Sequence, residues 1–394
     1  MFDAVGVALR GSAYVRGMVA LMACAALVAW DVGHRGPLAA EARAAWVVPP
    51  EMSDTAAWVI DGQGSIPMPD NTPAAHASSL VAMPPGSPAV ISAFWFAGSR
   101  ESAPDVEIAT SQFIRATQQW SPARIVVNRH EIANHLGFGV RRLGNPVAWV
   151  DGQGRIHLFV VATGLGGWAA ARIVHLRQRE PQSSLDSNAF EVLQPLPLSW
   201  LWNTSFLVRA APMALQDGGM VLPVHFELGI KYPVALRFDA EGSFQGMVRM
   251  SRRTYVLQPT LLPVSDVHWL ALMRDQRPDG KVTAVETRDG GRSWTDLPDL
   301  HLDNPDAAIA GLSLAPGELV LAHNSSPHSR TTLDLSRSSD GTDWTLLQRL
   351  AHGENPAEFS YPAIIWAEGQ GWVSYTDRRQ RIAWQRLAKP VVLP

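Results

Sequence analysis

The stretch Thr287-Arg288-Asp289-Gly290-Gly291-Arg292-Ser293-Trp294 decides the fold. It places a carboxylate, a glycine pair, a hydroxyl and a tryptophan at fixed spacing. The aspartate can accept hydrogen bonds from backbone N–H groups of a turn, and glycine can adopt the left-handed conformation that such a turn requires. The tryptophan can pack between neighbouring sheets. We therefore interpret the stretch as a folding element that links two strands, and not as a catalytic site.

This turn motif occurs more than once along the chain. Ser338-Ser339-Asp340-Gly341-Thr342-Asp343-Trp344 is a copy that is one residue shorter. The segment 111–120 and the segment that ends near Phe190 look like decayed copies. A motif that returns along the chain indicates a repeated structural unit.

A second pattern occurs six times: a polar or ring-bearing residue, then a small residue or proline, then an apolar strand. The leading residues are His76, Asn145, Asn203, Gln258, Asn304 and Tyr361, which span 285 positions in five intervals, a mean spacing of 57. A turn rich in Gly, Asp or Pro and a second strand follow each copy, and no amphipathic helix of ordinary length separates them. This pattern predicts an all-β, six-bladed β-propeller. The alternative is a pair of β-sandwiches with chance similarity.

Composition narrows the possible functions. Of the 394 residues, 46% are hydrophobic and 18% are charged, which excludes disorder as the main state. The net charge of −3 gives no basic excess for binding nucleic acid. A single cysteine excludes an internal disulfide framework and a cysteine-based zinc site.

The N-terminal segment is predicted to direct export, to the periplasm or outside the cell. Met18–Trp30 carries no charge and follows two arginines, and Ala40-Glu41-Ala42 is a passable cleavage site. The alternatives are an uncleaved N-terminal membrane anchor and lipidation of Cys24. We accordingly divide the chain into a signal peptide or anchor at 1–42 and a propeller at 43–394.

In a propeller the innermost strand of each blade starts at the central channel. The six leading residues are therefore predicted to form a ring at the channel mouth, and polar side chains there suit a wet, ligand-binding site because they are costly to bury without partners. The alternative is structural: the four amides Asn145, Asn203, Gln258 and Asn304 would tie neighbouring blades together.

The six repeats and the turn motifs together resemble the sialidase (neuraminidase) superfamily, in which the motif is called the aspartate box or BNR repeat. The resemblance covers about residues 70–388. It implies a six-bladed propeller that holds the carboxylate of a sugar with three arginines. It also implies a tyrosine nucleophile paired with a glutamate, and an aspartate as acid/base, an exception to the usual pair of catalytic carboxylates.

The resemblance assigns roles to individual residues. Tyr361 opens the sixth repeat where the family has its nucleophile. Arg274 and Arg330 match two of the three arginines, and two guanidinium groups that face one pocket can clamp a carboxylate. The alternative for both is a surface or blade-bridging arginine.

The loop after the second strand of the first repeat matches the loop that carries the family's acid/base residue. Asp105 is the family-like choice there and Glu101 the alternative, while Arg100 could bind substrate.

Two positions depart from the family pattern. His76 stands where the family has its first arginine, and Gln258 where it has the glutamate. An amide cannot take a proton from tyrosine, so the family mechanism requires another carboxylate within hydrogen-bonding reach of the Tyr361 hydroxyl. His225 and Glu227 are candidates for the missing base, since strand alternation places both on one face. The alternative is an ordinary strand ion pair.

Two further segments could shape the substrate site. A long insertion before the second repeat is predicted as a loop over the channel mouth, or alternatively as a plain solvated loop. It contains His130, Glu131, His135, Arg141 and Arg142. Gly164-Leu165-Gly166-Gly167-Trp168 could be a sugar-stacking platform or a turn beside a blade tryptophan.

These observations favour an exported glycoside hydrolase that acts on a terminal acidic sugar, with a sialoside or another acidic glycan as partner. The alternatives are a glycan-binding propeller without turnover, and a glycosidase or lyase for another acidic polysaccharide. No nucleic-acid partner, and no membrane contact beyond the possible N-terminal anchor, is expected. No metal cofactor is required, because the sequence lacks zincin-type spacing, although a calcium ion in a loop remains open. The oligomeric state is open.

Overall fold

The computed structural model describes residues 2–34, 41–46 and 58–388. Within the first range it describes the side chains of residues 14–30 only. Helix α1 (Phe2–His34) precedes the strands. The strands form six antiparallel sheets, the blades of a propeller, which we name A to F in chain order. The predicted all-β, six-bladed fold is confirmed.

Blades A to C follow the first strand, β1 (Val59–Ser65). Blade A contains β2 (Ala74–Ala82), β3 (Ala89–Gly98), β4 (Glu107–Ile114) and β5 (Gln119–Trp120), with β6 (Arg124–Val127) also on β4. Blade B contains β7 (Arg142–Val150), β8 (Ile156–Thr163), β9 (Ala171–Gln178) and β10 (Phe190–Pro195). Blade C contains β11 (Phe206–Val208), β12 (Met213–Ala214), β13 (Met220–Leu228), β14 (Ile230–Phe238) and β15 (Phe244–Arg249).

Blades D to F complete the ring. Blade D contains β16 (Val256–Pro263), β17 (Trp269–Asp275), β18 (Thr283–Thr287) and β19 (Thr295–Asp296). Blade E contains β20 (Ala310–Ala315), β21 (Glu318–His323), β22 (Thr332–Ser338) and β23 (Thr345–His352). Blade F contains β24 (Phe359–Ala367), β25 (Gln370–Asp377) and β26 (Arg381–Ala388), and its outer strand is β1.

The pairing of β1 with β26 closes the ring. The two strands run antiparallel from Val59 opposite Ala388 to Ser65 opposite Ala383. An open propeller would leave the outer edge of blade F short of a strand, so this closure joins the beginning of the propeller to its end.

The two predicted turn motifs form as expected. In blade D, the Asp289 carboxylate accepts hydrogen bonds from the Ser293 N–H at 2.9 Å and the Thr287 hydroxyl at 2.8 Å. Gly290 and Gly291 have φ values of 67° and 88°, the left-handed conformation that favours glycine. Trp294 donates from its indole nitrogen to the Gly291 carbonyl at 3.2 Å and packs against the core between blades C and D.

The copy in blade E has the same geometry and predicts an acid-sensitive contribution to stability. Backbone N–H groups of Thr342 and Asp343 donate to the Asp340 carboxylate and lower its pKa to about 2. A lowered folded pKa stabilises the fold above the unfolded pKa of about 3.9, and this contribution is lost as pH falls through about 2.

We therefore expect Asp340→Ala to lower the free energy of unfolding at neutral pH by about 1 kcal/mol, a modest value because the carboxylate is exposed. Urea denaturation of the variant and the parent measures it, and the difference should vanish below about pH 2. Asp343→Ala is the control, because Asp343 contributes its backbone N–H and not its carboxylate. An equal loss in both variants would contradict this account of the turn.

Six hydrophobic clusters lie at the six junctions between neighbouring blades. The first chain residues in them are Ala42 and Ala44, which pack at the junction of blades C and D. The described side chains of α1 contribute to none of these clusters. Every described residue of the six clusters therefore lies in the chain from Glu41 onward.

Helix α1 is exposed along its described side chains, from Tyr14 to Trp30. In the part of the chain that the structure describes, no helix is long and apolar enough to cross a membrane. A second helix, α2 (Arg129–Leu136), lies in the insertion that was predicted as a loop. Asn128 caps it by accepting from the Glu131 N–H at 2.9 Å, a cap signal that the sequence analysis overlooked.

Four inner strands contain a bulge at one residue with a positive φ. These residues are Ala77, Asn145, Gln258 and Tyr361, with φ between 34° and 56°, and the strand register shifts at each of them. Non-glycine residues rarely adopt this conformation, and such strain is typical of functional sites. In blade A the bulge falls on Ala77, one residue after the predicted leader His76.

Candidate active site

The candidate site lies at the channel mouth, where inner strands begin and second strands end. Tyr361 and Gln258 occupy the bulges of β24 and β16, and Arg274 is the penultimate residue of β17. The bulge turns the side chain of the extra residue away from the regular strand alternation. The backbone thereby brings residues from different blades together at one end of the channel.

The Tyr361 hydroxyl is surrounded by hydrogen-bond donors. The Gln258 side-chain N–H donates to it at 3.4 Å, while the amide oxygen of Gln258 accepts from Arg274 at 3.1 Å. The second contact fixes the orientation of the amide, because a flipped amide would place an N–H against the guanidinium. Within the described residues, no carboxylate is hydrogen-bonded to the Tyr361 hydroxyl, so the base that the family mechanism requires is not found there.

Arg209 packs against Tyr361 and was missed by the sequence analysis. Its guanidinium carbon lies 5.0 Å from the centre of the Tyr361 ring, and Nη2 donates to the Pro362 carbonyl at 2.6 Å. Burial lowers the pKa of Arg209 to about 10, so it remains a cation at neutral pH. Its position after the short strand β11 gave no repeat signal, because the predicted leader of that blade was Asn203.

His76 is neutral and buried beside the tyrosine. Its ring centre lies 4.2 Å from that of Tyr361, and the residue is 2% exposed. Burial, followed by the charge of Arg379, lowers the pKa of His76 to about 3. A neutral, enclosed imidazole cannot supply the positive charge of the family's first arginine.

Arg379 supplies a positive charge next to His76. It lies in the turn between β25 and β26, and its carbonyl accepts from the Ala75 N–H at 3.1 Å. The side chain bonds Glu358 through Nε at 2.9 Å and also contacts Glu101. Arg379 could not be identified from the sequence, because nothing in the three-residue turn 378–380 matches the family motif.

Glu358 holds two arginines side by side. Its carboxylate contacts Arg330 Nη1 at 3.2 Å and Arg379 Nε at 2.9 Å, and the Ser360 hydroxyl donates to it at 2.9 Å. Burial alone would raise the pKa of Glu358, but the hydrogen bond from Arg379 and its other partners outweigh burial and lower it. Arg330 also donates to the Asp306 carbonyl.

The Asp306 carboxylate positions Arg274 as Glu358 positions the other two arginines. The distance from Arg274 Nε to Asp306 Oδ1 is 2.6 Å. Burial acts to lower the pKa of Arg274, but the Asp306 carboxylate and Tyr361 outweigh burial and raise it. We call Arg274, Arg330 and Arg379 the arginine cluster. A polar cavity of about 730 Å³ adjoins Arg330, Glu358 and Arg379.

The two acid/base candidates lie on the loop between β3 and β4 and have different partners. The Asp105 carboxylate accepts from the Ser99 N–H at 3.0 Å and the Ser99 hydroxyl at 2.9 Å. Burial is the largest single influence and acts to raise the pKa of Asp105, but the two bonds from Ser99 and its other partners together outweigh burial and lower the pKa. Glu101 instead contacts Arg379 and, with Arg100 and His76, lines a small pocket beside the cluster. The structure therefore brings Glu101 to the cluster, while Asp105 braces its own loop.

The remaining amides of the predicted ring have different surroundings. Asn203 accepts from the Leu198 N–H at 3.0 Å and donates to the Leu196 carbonyl at 2.9 Å. Asn304 bridges to the backbone of Ala307 in the same manner. Both lie before the inner strands of their blades and stabilise their own loops. Asn145 occupies the bulge of β7 and is buried.

His225 and Glu227 contact each other on β13, as strand alternation predicts. His225 Nε2 lies 3.4 Å from Glu227 Oε2, and Lys231 Nζ lies 2.8 Å from the other carboxylate oxygen. The hydrogen bond with His225 is the main cause that lowers the pKa of Glu227 to about 2. A carboxylate that is hydrogen-bonded to His225 and ion-paired with Lys231, and whose pKa is this low, is a poor general base.

Of the two other segments, the insertion differs from the predicted loop because it contains α2, while the glycine-rich segment adopts the second of its two predicted alternatives. In the insertion, burial raises the pKa of Glu131, and Arg172 stacks on Phe138 at 4.6 Å. Trp168 packs over Gly144, where an added Cβ would approach it to 2.9 Å, so it is a blade tryptophan and not an exposed platform. The exposed side chain of that turn is Leu165. The described residues contain no group of three or more metal-ligating side chains.

Comparison with known proteins shows the same architecture. A family model described as "BNR repeat-like domain" matches residues 90–373. No curated protein matches the chain significantly. Among solved structures, a Hadza microbial sialidase superimposes with a TM-score of 0.64 at 18% identity, covering 82% of this chain and 67% of that one.

Two further structures give similar values. The Trypanosoma rangeli sialidase in complex with sialic acid has a TM-score of 0.62 at 11% identity, covering 86% of this chain and 59% of its own. A Dyadobacter fermentans protein of unknown function has a TM-score of 0.64 at 12% identity, covering 85% of this chain and 100% of its own. This chain thus spans less than two thirds of the trypanosomal enzyme. At these identities the likeness shows the fold alone.

Proposed function

Since the chain belongs to the family of BNR repeat-like domains, we propose that it is a sialidase-like glycoside hydrolase that acts on a terminal acidic sugar. The observation that carries the proposal is the arginine cluster beside Tyr361. Three guanidinium groups from blades D, E and F meet at one end of the channel, and a carboxylate is the natural ligand for such a group of donors.

Acidic side chains hold the three arginines of the cluster in place. Arg274 is held by Asp306, and Arg330 and Arg379 are both held by Glu358. Because the side chains are already fixed, little rotamer entropy is lost when a substrate carboxylate binds. Arg379 takes the place of the family's first arginine, whose position here holds the neutral His76.

Tyr361 is the proposed nucleophile. Attack of its oxygen on the anomeric carbon forms a glycosyl-tyrosine bond, and water then releases the sugar. The amide N–H of Gln258 donates a hydrogen bond to that oxygen, and the cations Arg274 and Arg209 lie beside Tyr361. The hydroxyl proton passes to solvent, because Gln258 cannot accept it while its oxygen is bonded to Arg274.

Glu101 is the proposed acid that protonates the leaving oxygen, once the substrate carboxylate has replaced it as the partner of Arg379. We expect Glu101→Gln to lower kcat/KM for a natural glycoside by about a hundredfold. An aryl glycoside with a good leaving group should lose much less, because it needs no protonation. Asp105→Asn is the matched control and should stay within about threefold of the parent for both substrates. Equal losses with both substrates, or a larger loss for Asp105→Asn, would contradict the assignment.

The experiment that tests the function is sugar release by the purified full chain. The substrates are a fluorogenic sialoside and a panel of oligosaccharides that end in a uronic acid. Release of an acidic sugar, and none from neutral glycosides, supports the proposal. Turnover confined to neutral glycosides contradicts it.

The second candidate is an acidic-glycan-binding propeller without turnover. The observation that favours it is Gln258, because no carboxylate is hydrogen-bonded to the Tyr361 hydroxyl. Saturable binding of an acidic sugar with no release would support this candidate over hydrolysis. In either case we propose that the chain is exported by its N-terminal segment, where it can meet extracellular glycans.

A further inference from the structure

Three loops on the mouth side of blades B and C expose apolar side chains together. They connect β8 to β9, β10 to β11 and β13 to β14, at the same end of the propeller as Tyr361. Their exposed residues are Leu165, Trp200, Leu201, Trp202, Leu228 and Ile230, with Leu165 80% and Trp200 63% exposed. We call this set the apolar rim.

The loops that carry the rim are fixed to one another through Ser205. Its hydroxyl donates to the Ala169 carbonyl at 2.6 Å and accepts from the Trp202 indole at 3.4 Å. Its carbonyl accepts from the Glu227 N–H at 2.8 Å. Asn203 and Ser199 also bond backbone groups within the Trp200 loop. The fold therefore holds these side chains at the surface by specific hydrogen bonds, although burying them would be favourable.

The composition of the rim matches a lipid interface better than a sugar platform. Leucine and isoleucine have no stacking face or polar group for a sugar. Four of the six rim residues are of these two types: Leu165, Leu201, Leu228 and Ile230. Tryptophan prefers the headgroup region, and aliphatic side chains enter the acyl boundary below it. Exposed apolar side chains on loops that are bonded to one another mark an interaction site.

Helix α1 indicates which kind of environment covers the rim. Its described side chains, from Tyr14 to Trp30, are mostly apolar and all exposed. The helix ends against the rim, where the rings of Trp30 and Trp200 meet edge to face at 5.3 Å. One apolar environment would cover both surfaces.

We propose that the apolar rim rests on a lipid bilayer, with the side chains of the rim in the boundary between headgroups and acyl chains. The channel mouth then lies beside the membrane surface, and the site meets acidic sugars that are presented close to lipid. This inference stands apart from the proposed hydrolysis, since it concerns a different surface. It extends the expectation of membrane contact from the N-terminal segment to the propeller itself.

The experiment is vesicle flotation of the chain from Glu41 onward, which retains every described residue of the six core clusters. Vesicles of phosphatidylcholine and phosphatidylglycerol are the probe. The double variant Trp200→Ser, Leu201→Ser should lose about tenfold or more of its vesicle partitioning. The matched control is Val59→Ser, Leu346→Ser, which removes two exposed apolar side chains from outer strands and should float like the parent.

Circular dichroism confirms that the variants are folded, and turnover of a soluble substrate should be the same in parent and rim variant. Failure of the parent to float, or equal flotation of the rim variant, would overturn the proposal. A rim variant that floats normally but loses affinity for a soluble acidic oligosaccharide would show a sugar platform instead, and would equally overturn it.

Discussion

Replacing Tyr361 with phenylalanine is expected to lower turnover of an acidic glycoside by about a thousandfold or more, because the variant has no oxygen to attack the anomeric carbon. Affinity should change by less than about threefold, since the aromatic ring, its contact with His76 and the arginine cluster all remain. The measurement is kcat and KM for a fluorogenic sialoside, or for whichever acidic glycoside the panel identifies, together with calorimetric affinity for the free sugar.

The matched control is Tyr255→Phe. Tyr255 also lies under an arginine, with the Arg277 guanidinium 4.3 Å from its ring centre, but outside the candidate site. This variant should retain parental turnover. If Tyr361→Phe kept turnover as well, the nucleophile would have to be sought elsewhere, and the hydrolytic assignment of Tyr361 would be wrong.

Replacing Arg379 with glutamine is expected to weaken binding of an acidic sugar by about tenfold to a hundredfold. The change removes one guanidinium and also leaves Glu358 with Arg330 as its remaining cationic partner. Arg379→Lys should restore part of the affinity. The lysine ammonium supplies the positive charge but cannot bind a carboxylate through two parallel N–H groups as a guanidinium does. The measurement is calorimetric affinity for the free sugar, with KM as a second readout.

The control lies one residue away. Arg378 has the same charge and a similar left-handed backbone, but its side chain is directed to Asp377 at 3.8 Å. Arg378→Gln should leave affinity unchanged. Equal affinity losses in the two variants would mean that only the overall charge of the turn matters, and the role of Arg379 in the cluster would be refuted.

Arg379 also gives a physical account of the most conspicuous departure from the sialidase pattern. A histidine at position 76 would be repelled as a cation by Arg379, Arg209 and Arg330, and burial already disfavours its charge. Because His76 is neutral, it does not repel Arg379, which lies across the junction between blades A and F. Arg379 provides a positive charge near Tyr361 from a different position in the sequence.

The blades and the turn motifs could be predicted because their signals are local. Asp289 with Gly290 and Gly291 forms its turn from neighbouring backbone groups, so the spacing alone specifies the hydrogen bonds. Tyr361, Arg274 and Arg330 lie in blades F, D and E, to which the repeat pattern assigned them. The repeat pattern fixes which strand each one belongs to.

Other features depend on contacts that are distant in sequence and left no pattern. The closure of the ring pairs Val59 with Ala388, and Arg379 reaches the site only because blade F lies next to blade A. Arg209 was missed because blade C has a broken inner strand. In blade A the bulge is at Ala77, one residue after the predicted leading residue His76. The His76 side chain therefore packs against the Tyr361 ring and does not point into the open channel mouth.

The most direct test of the central claim is calorimetric titration of the full chain with an acidic sugar and with the methyl ester of the same sugar. N-acetylneuraminic acid and glucuronic acid are the two ligands to compare. The account predicts that at least one free acid binds and that its ester binds at least about tenfold more weakly, because the ester cannot pair with the arginine cluster. Equal affinity for acid and ester, or no binding of either acid, would contradict the claim that this site recognises a carboxylate.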